Sequence, residues 1–201
     1  MCLPEMKTGF NLIIVFVDRL TKRAHFIPGK PTDTAEDFAK VFLREIYRLH
    51  GIPDSIVSDR DSKFISKFWK AFTKLLGTEL NMSTAHHPET DGQTERTIRT
   101  LQQILRNYTN YHQDNWEELL PAVEFVYNDA IHDSTENTPF FADTGRHPRS
   151  LISVIADLPR QTQLDKTVTD LAKKIEEITQ EIRLNIKDAQ LYQKIQADKK
   201  R

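Results

Sequence analysis

The sequence predicts an α/β domain that is followed by one long C-terminal helix. Residues 10–17 form a nearly continuous apolar run of β-forming side chains, which is typical of a buried strand. Several later segments repeat apolar residues three and four positions apart, the spacing of amphipathic helices. From Leu164 onward that spacing continues in the alternating pattern of a coiled-coil seam.

The composition is that of a folded protein without a strong charge bias. Of 201 residues, 38% are hydrophobic, which is enough for a packed core. Because the formal net charge is -1, any contact with nucleic acid must come from local basic patches. The single cysteine, Cys2, excludes an intramolecular disulfide and a zinc site of cysteine pairs, and fits a reducing intracellular compartment. The longest apolar run, residues 12–17, is too short to span a membrane.

The N-terminal elements follow from local patterns. Residues 10–17 and 24–28 are predicted to form neighbouring strands of a hairpin. Thr34 is the predicted N-cap of a helix that ends at Gly51. Its predicted apolar stripe consists of Phe38, Val41, Phe42, Ile46 and Leu49.

The next segment is predicted to hold two strands around a helix. A short strand over 53–58 ends directly before Asp59, and a last strand covers 79–85. Between them, a helix that Gly77 ends has an apolar face and a basic face. The apolar face comprises Ile65, Phe68, Trp69, Phe72, Leu75 and Leu76, and the basic face comprises Lys63, Lys67, Lys70 and Lys74.

The remaining elements set the domain boundaries. Helices are predicted near 91–111 and 116–127, the first with a stripe of Ile98, Leu101, Leu105 and Tyr108, and residues 139–148 are predicted to be a loop. We therefore expect a core domain over 1–149, a linker over 150–163 and a long helix over 164–201.

Asp59 and Glu95 are the candidate catalytic and metal-binding residues. Acids occupy 29 of 201 positions, so their separation alone means little, but one acid follows a strand and the other lies in the first turns of a helix. Carboxylates there suit Mg²⁺ or Mn²⁺, and two such ions would support displacement at phosphorus. A glycoside hydrolase pair is an alternative without this strand-and-helix pattern. In the simplest alternative, Asp59 starts a turn and Glu95 lies on a solvated helix face.

The motifs around these acids resemble the integrase core of gypsy-type long-terminal-repeat retrotransposons, over roughly residues 3–148. The resemblance implies a ribonuclease H-like mixed sheet flanked by helices. It also implies trimming and joining of element ends to host DNA with a two-ion Mg²⁺ or Mn²⁺ site, a homo-oligomer, no membrane partner and a nuclear location. The matching segments are 11–28, 48–53, 56–64, 86–96, Tyr127-Asn128, His132 and Ser134-Thr135.

The same resemblance implies three metal-binding acids, of which this chain matches two. Asp59 resembles the second acid and Glu95 the third, whereas the first would fall about two residues before Met1. We therefore expect a core that is truncated at its N-terminus, lacks its first, central strand and is catalytically inactive. Asp18 ends a different strand, and we expect its side chain to point elsewhere.

Nucleic-acid contacts are predicted in two places. On the Glu95 helix, Arg96, Arg99 and Gln102 follow the acid, and Asp91-Gly92-Gln93 is predicted to be a mobile loop at the site. Lys63 and Lys67 begin the best local basic patch, although a solvated amphipathic helix would look the same.

Two other functions remain open at this stage. The chain could be a domesticated, non-catalytic module that binds nucleic acid or a protein. It could also be an independent ribonuclease H-like nuclease, which would degrade RNA in hybrids.

Overall fold

A computed structural model describes residues 3–82, 92–109 and 115–149, together with seven single residues between 173 and 195. The described residues fall into two compact units. The first comprises residues 1–14 and 27–96, and the second comprises residues 15–26 and 97–201.

The chain opens with the predicted hairpin. Strand β1 (Leu12–Val17) pairs with β2 (Ala24–Gly29). Asn11 N donates to Gly29 O at 3.2 Å and Asp18 N donates to Arg23 O at 2.8 Å, so the two strands run in opposite directions. Residues 24–27 of β2 are all buried, and they include the polar His25.

Helix α1 (Ala35–Phe42) begins with the predicted cap. Thr34 Oγ1 accepts from Asp37 N at 3.3 Å, and the Asp37 carboxylate accepts from Thr34 N at 3.1 Å, which completes a capping box. The helical path continues through a π-helical turn (Leu43–Tyr47) and a last turn, α2 (Arg48–His50), before Gly51.

The π-helical turn explains why the predicted apolar stripe fails at its C-terminal end. Phe38 and Phe42 are buried as predicted, but Leu49 is 48% exposed. A π-helical turn places more residues in each turn than an α-helix does, so side chains beyond it no longer follow the spacing of the first turns. Leu43 and Tyr47, which lie in the π-helical turn and outside the predicted stripe, are also exposed.

Two further strands form a parallel pair. Strand β3 (Ser55–Ser58) pairs with β4 (Glu79–Met82), with Ser55 opposite Glu79 and Ser58 opposite Met82. The described strands therefore include both antiparallel and parallel pairing, as predicted for a mixed sheet, but they form two separate two-stranded sheets.

The predicted helix between these strands is divided in two. Helix α3 (Ser62–Ile65) ends at Ser66, whose side chain then caps α4 (Lys67–Leu76) by accepting from Trp69 N at 3.1 Å. The break separates Ile65 from α4, and the predicted apolar face is wrong for three of its six members. Trp69 is buried, whereas three other members of that face are exposed, namely Ile65, Phe68 and Leu75.

The second unit is built mainly from helices. Helix α5 (Gly92–Tyr108) and helix α6 (Trp116–Asp129) contribute most of its buried apolar side chains, including Leu101, Ile104, Leu105, Trp116, Val123 and Val126. The predicted stripe of α5 omitted three buried residues, Thr97, Thr100 and Ile104. Thr97 Oγ1 lies 2.9 Å from the Tyr127 hydroxyl, and this hydrogen bond satisfies the buried polar groups.

The predicted loop over 139–148 is wrong in its first half. Residues there form helix α7 (Pro139–Thr144). Thr138 Oγ1 caps it by accepting from Phe141 N at 3.1 Å, and Pro139 occupies a first-turn position, where no backbone donor is needed. Gly145 ends the helix in the left-handed conformation.

The C-terminal region lies largely outside the described residues. Seven single positions there are helical, namely Lys173, Glu177, Thr179, Gln180, Leu184, Leu191 and Ile195. The long helix over 164–201 and the linker over 150–163 therefore stay predictions. Within the described part of the chain, no helix is long and apolar enough to cross a membrane.

Candidate active site and nucleic-acid surface

Asp59 directly follows β3, where the sequence places it. Ser58 pairs with Met82, so β3 and β4 reach their carboxyl ends at the same edge of the parallel pair. Asp59 is exposed at that edge, and its Oδ1 accepts from Asp61 N at 3.1 Å. Asp61 in turn caps α3 by accepting from Lys63 N at 2.9 Å. Two successive turns thus order the segment that follows β3, and Asp59 remains exposed.

Glu95 lies in the first turn of α5 and is exposed. A carboxylate at this position interacts favourably with the partial positive charge of the helix N-terminus. Arg99 and Gln102 follow at spacings of four and three, which places them on the same face of the helix. Arg99 is exposed and Gln102 is half-buried, so this face offers both charge and an amide beside the acid.

The donor chemistry of the two acids fits a divalent cation held partly by water and phosphate. Mg²⁺ is commonly bound through one or two carboxylates, with water and substrate oxygens completing its octahedron. Residues 3–82, 92–109 and 115–149 contain no group of three or more His, Cys, Asp or Glu side chains placed to hold a metal.

Asp18 serves the hairpin turn, in line with the expectation that it points elsewhere. Its carboxylate accepts from Leu20 N at 3.2 Å and from Thr21 N at 3.2 Å. It also accepts from Thr21 Oγ1 at 2.6 Å. These bonds stabilise the turn between β1 and β2.

The predicted loop beside the acid is only partly described. Asp91 lies outside the described residues, whereas Gly92 and Gln93 are the first two residues of α5. The expectation of a loop is therefore wrong for Gly92 and Gln93, which belong to the helix predicted near 91–111. Arg96, one residue after Glu95, is exposed.

The predicted basic patch contains two kinds of lysine. Lys63 is half-buried, with its ammonium 5.3 Å from the centre of the Phe38 ring and 4.0 Å from Asp61 Oδ1. Lys67, by contrast, is exposed at the start of α4, on the helix that also exposes Lys70 and Lys74. The break at Ser66 separates Lys63 from that helix.

Sequence reasoning missed a buried polar anchor between α6 and β2. The Asn128 side chain, which is fully buried, hydrogen-bonds both backbone groups of Ala24. Glu124, on the same helix, binds the two residues of β2 that follow Ala24. Its Oε1 lies 3.0 Å from His25 Nδ1, and its Oε2 accepts from Phe26 N at 2.9 Å. Tyr127-Asn128 matches the family resemblance, but the sequence did not indicate which of the polar residues in the C-terminal half of α6, Glu124, Asn128 and Asp129, would be buried.

Arg23 borders this anchor. Its guanidinium carbon lies 3.9 Å from the centre of the Phe140 ring. Burial lowers the pKa of Arg23, and the nearby charges of Asp143 and Glu124 oppose that effect. Its Nε and Nη1 are buried without a hydrogen-bond partner in the described structure, which agrees with burial as the larger effect.

Comparison with known proteins identifies the family of this chain. No family model matches it. The Transposon Tf2-3 polyprotein of Schizosaccharomyces pombe is 38% identical over 138 residues, or 69% of this chain. This chain is homologous to the Tf2 transposon polyproteins. It spans only 10% of the length of that Tf2 relative.

Solved structures identify the fold of this Tf2 homologue. A chain of the simian T-cell lymphotropic virus intasome, solved in complex with PP2A regulatory subunit B56 gamma, matches 77% of this chain and 51% of its own length, with a TM-score of 0.56 and 18% identity. The HTLV-2 integrase catalytic core with magnesium, in its trimeric form, matches 65% of this chain and 83% of its own length, with a TM-score of 0.51 and 19% identity. The predicted ribonuclease H-like fold of integrase cores is thereby confirmed.

Proposed function

We propose that this chain is the core of a retroelement integrase that cuts and joins phosphodiester bonds of DNA. The observation that carries the proposal is the homology to Tf2 transposon polyproteins in a chain with the integrase-core fold. DNA integration in general is the function that this combination supports. The ends of the element and the host target DNA are the proposed substrates. Host DNA as a substrate also implies that the protein is located in the nucleus.

Asp59 and Glu95 are the proposed acids of the site. Both are exposed, one after β3 and the other in the first turn of α5. A pair of Mg²⁺ or Mn²⁺ ions, when bound, would activate the attacking hydroxyl and stabilise the leaving oxygen. Arg99 and Gln102 share the helical face of Glu95, so we assign them, with Arg96, to the DNA strand beside the acids.

The proposed assembly is a homo-oligomer on DNA. The HTLV-2 integrase core was solved with magnesium in a trimeric form, which supports both metal use and self-association as proposals for this chain. The exposed lysines of α4, beginning at Lys67, supply a basic surface for DNA despite the formal net charge of -1.

Two matched acids are too few for the three-acid site that the family resemblance implies. We therefore expect no strand transfer by the 201-residue chain alone. The test compares this chain with a version that is extended at its N-terminus by a strand carrying the implied Asp. Strand joining of a labelled oligonucleotide duplex in Mg²⁺ is the readout.

Matched variants of the extended protein make this test specific. Glu95→Gln removes the charge of the assigned acid with little change in shape, and it should abolish joining. Glu118→Gln, at an exposed acid in the first turn of α6, should leave joining unchanged. Equal joining by the Glu95→Gln variant would show that the acids are assigned wrongly.

A domesticated, non-catalytic binding module is the second candidate. It is favoured by the lack of a three-group metal cluster in residues 3–82, 92–109 and 115–149. In the same experiment, it predicts that the extended protein binds the duplex without joining it, in Mg²⁺ as well as in Mn²⁺.

A further inference from the structure

The end of α7 forms a small aromatic surface. His147 lies on the ring of Phe141, with the ring centres 5.0 Å apart and an angle of 20° between the planes. Thr138 Oγ1 lies 3.3 Å from His147 Nδ1, so the residue that caps the start of α7 also holds the imidazole. His147 is exposed and Phe141 is 39% exposed, so the stack faces solvent.

The neighbouring Phe140 has a different environment. Its ring meets the Arg23 guanidinium at 3.9 Å and the Phe125 ring at 5.3 Å, and Phe140 is half-buried. Phe140 therefore packs α7 onto its own unit. For Phe141, the ring contact within the described residues is His147, so this second phenylalanine is not explained by packing of the core.

Positive charge accompanies the stack. Arg146 precedes His147 and is exposed, and its guanidinium has neither a hydrogen bond nor an ion pair with any residue that the structure describes. Arg149 is also exposed, two residues after His147. One exposed arginine is ordinary on a protein surface. An exposed aromatic stack next in sequence to an exposed arginine is a pattern of surfaces that bind single-stranded nucleic acid, since bases stack on rings and arginines pair with phosphates.

We propose that Phe141 and His147, with Arg146, bind an unpaired stretch of nucleic acid. An unpaired base stacks on the outer face of His147 and continues the Phe141–His147 stack, while the Arg146 guanidinium pairs with a neighbouring phosphate. This surface should prefer single strands, because the faces of the bases in a duplex are stacked on neighbouring bases and cannot reach His147. The inference rests on the proposed function for its choice of DNA, but it adds a site away from Asp59 and Glu95 and needs no catalysis.

The experiment measures binding of a fluorescein-labelled single-stranded DNA of 12 nucleotides to the full 201-residue chain by anisotropy, across a range of salt concentrations. Phe141→Leu and His147→Ala each remove one ring of the stack, whereas Phe141→Trp keeps a ring there. Arg146→Ala is compared with Arg19→Ala, which removes the same charge from another exposed position of the same unit. Circular dichroism checks the folding of every variant.

We expect Phe141→Leu and His147→Ala to weaken binding about 5-fold or more, because stacking contributes roughly that much for each base. Phe141→Trp should bind as the wild type does. Arg146→Ala should weaken binding and reduce the slope of log K against log salt by about 0.7, the value for one phosphate on a single strand. A duplex of the same sequence should be insensitive to both ring variants.

Three results would overturn the proposal. These are wild-type affinity in folded Phe141→Leu and His147→Ala variants, equal losses for Arg146→Ala and Arg19→Ala, and equal losses on the duplex and the single strand. Catalysis is tested separately, because strand joining is measured on the extended protein in Mg²⁺, whereas this binding is measured on the 201-residue chain without a metal ion. The inference and the proposed function can therefore fail independently.

Discussion

The Asn128 side chain binds both backbone groups of Ala24. Asn128 Oδ1 accepts from Ala24 N at 2.9 Å, and Asn128 Nδ2 donates to Ala24 O at 2.8 Å. Both residues are fully buried. The amide of one helical residue thus takes the place of a neighbouring strand at this point of β2, because it offers one acceptor and one donor in the arrangement of a peptide group.

Asn128→Leu should destabilise the protein strongly. The substitution keeps a similar volume but leaves the Ala24 N–H and C=O buried without partners, at a cost of about 1–3 kcal/mol for each group. We expect the free energy of unfolding to fall by about 2–6 kcal/mol in urea titrations followed by circular dichroism. Asn81→Leu, at an exposed position of β4, is the control and should change stability by less than about 0.5 kcal/mol. Similar losses in both variants would contradict the role of Asn128.

Gly77 and Gly92 should respond oppositely to alanine. Gly77 has φ of 72° in the left-handed cap of α4, and a Cβ there would meet no atom within 4 Å, so Gly77→Ala costs only backbone strain of about 1 kcal/mol. Gly92 is helical and also has open space around it, so Gly92→Ala should stabilise α5 by about 0.5 kcal/mol. Thermal unfolding of the two variants measures the difference. A destabilised Gly92→Ala variant would favour the loop that the sequence predicted.

Asp37 should make stability depend on acid pH. Hydrogen bonds from Thr34, together with Lys40, lower the pKa of Asp37 from 3.8 to about 2. Because the pKa is lower in the folded state, the stabilising effect is complete above about pH 4 and is lost as the pH falls towards 2. The difference in stability between wild type and Asp37→Asn should therefore be constant at neutral pH and shrink between pH 4 and 2.

Thr34→Ala is a second variant for the same effect. It removes the hydroxyl that makes the largest contribution to the pKa of Asp37, so the acid-dependent difference should shrink in this background. Urea titrations at several pH values provide the measurement. An Asp37→Asn variant whose difference from wild type stayed unchanged down to pH 2 would refute the assignment.

Alanine variants of Lys63 and Lys67 should have different effects, the first on stability and the second on DNA binding. Lys63 packs over the Phe38 ring, so Lys63→Ala should lower stability by about 0.5–1 kcal/mol. Lys67→Ala should leave stability nearly unchanged. It should reduce the slope of log K against log salt concentration for duplex binding by about 0.9, the value for one phosphate contact. Filter binding of a DNA duplex at several salt concentrations measures this slope for each variant. A reduced slope in the Lys63→Ala variant would instead support the DNA contact that the sequence predicts for it.

Local chemistry explains which parts of the fold were predictable. The cap at Thr34, the hairpin around Asp18 and the strand before Asp59 depend on neighbouring residues, and each was predicted from them. The exposure of Leu49 was not predictable, because it follows from a π-helical turn that leaves no pattern in the sequence. The break at Ser66 had a signal, since serine is a strong N-cap, but the continuous apolar spacing concealed it.

The candidate site shows the same division. Asp59 and Glu95 lie on the elements that the sequence indicates, because each position follows from its own strand or helix. The burial of Lys63 depends on Phe38, which lies on another helix, and so could not be inferred from helical spacing. The stack of His147 on Phe141 depends on a turn at Gly145 that was predicted to be part of a loop.

The anchor between α6 and β2 has a consequence for synthesis on the ribosome. Its hydrogen bonds join residues 98 and 104 positions apart, so β2 emerges long before Glu124 and Asn128 are translated. At about 5–20 residues per second, the hairpin waits roughly 5–20 s for these partners. During that interval the N–H groups of Ala24 and Phe26 lack their native partners on α6. A translational pause before α6 would therefore lengthen the time for which this part of β2 is incompletely paired.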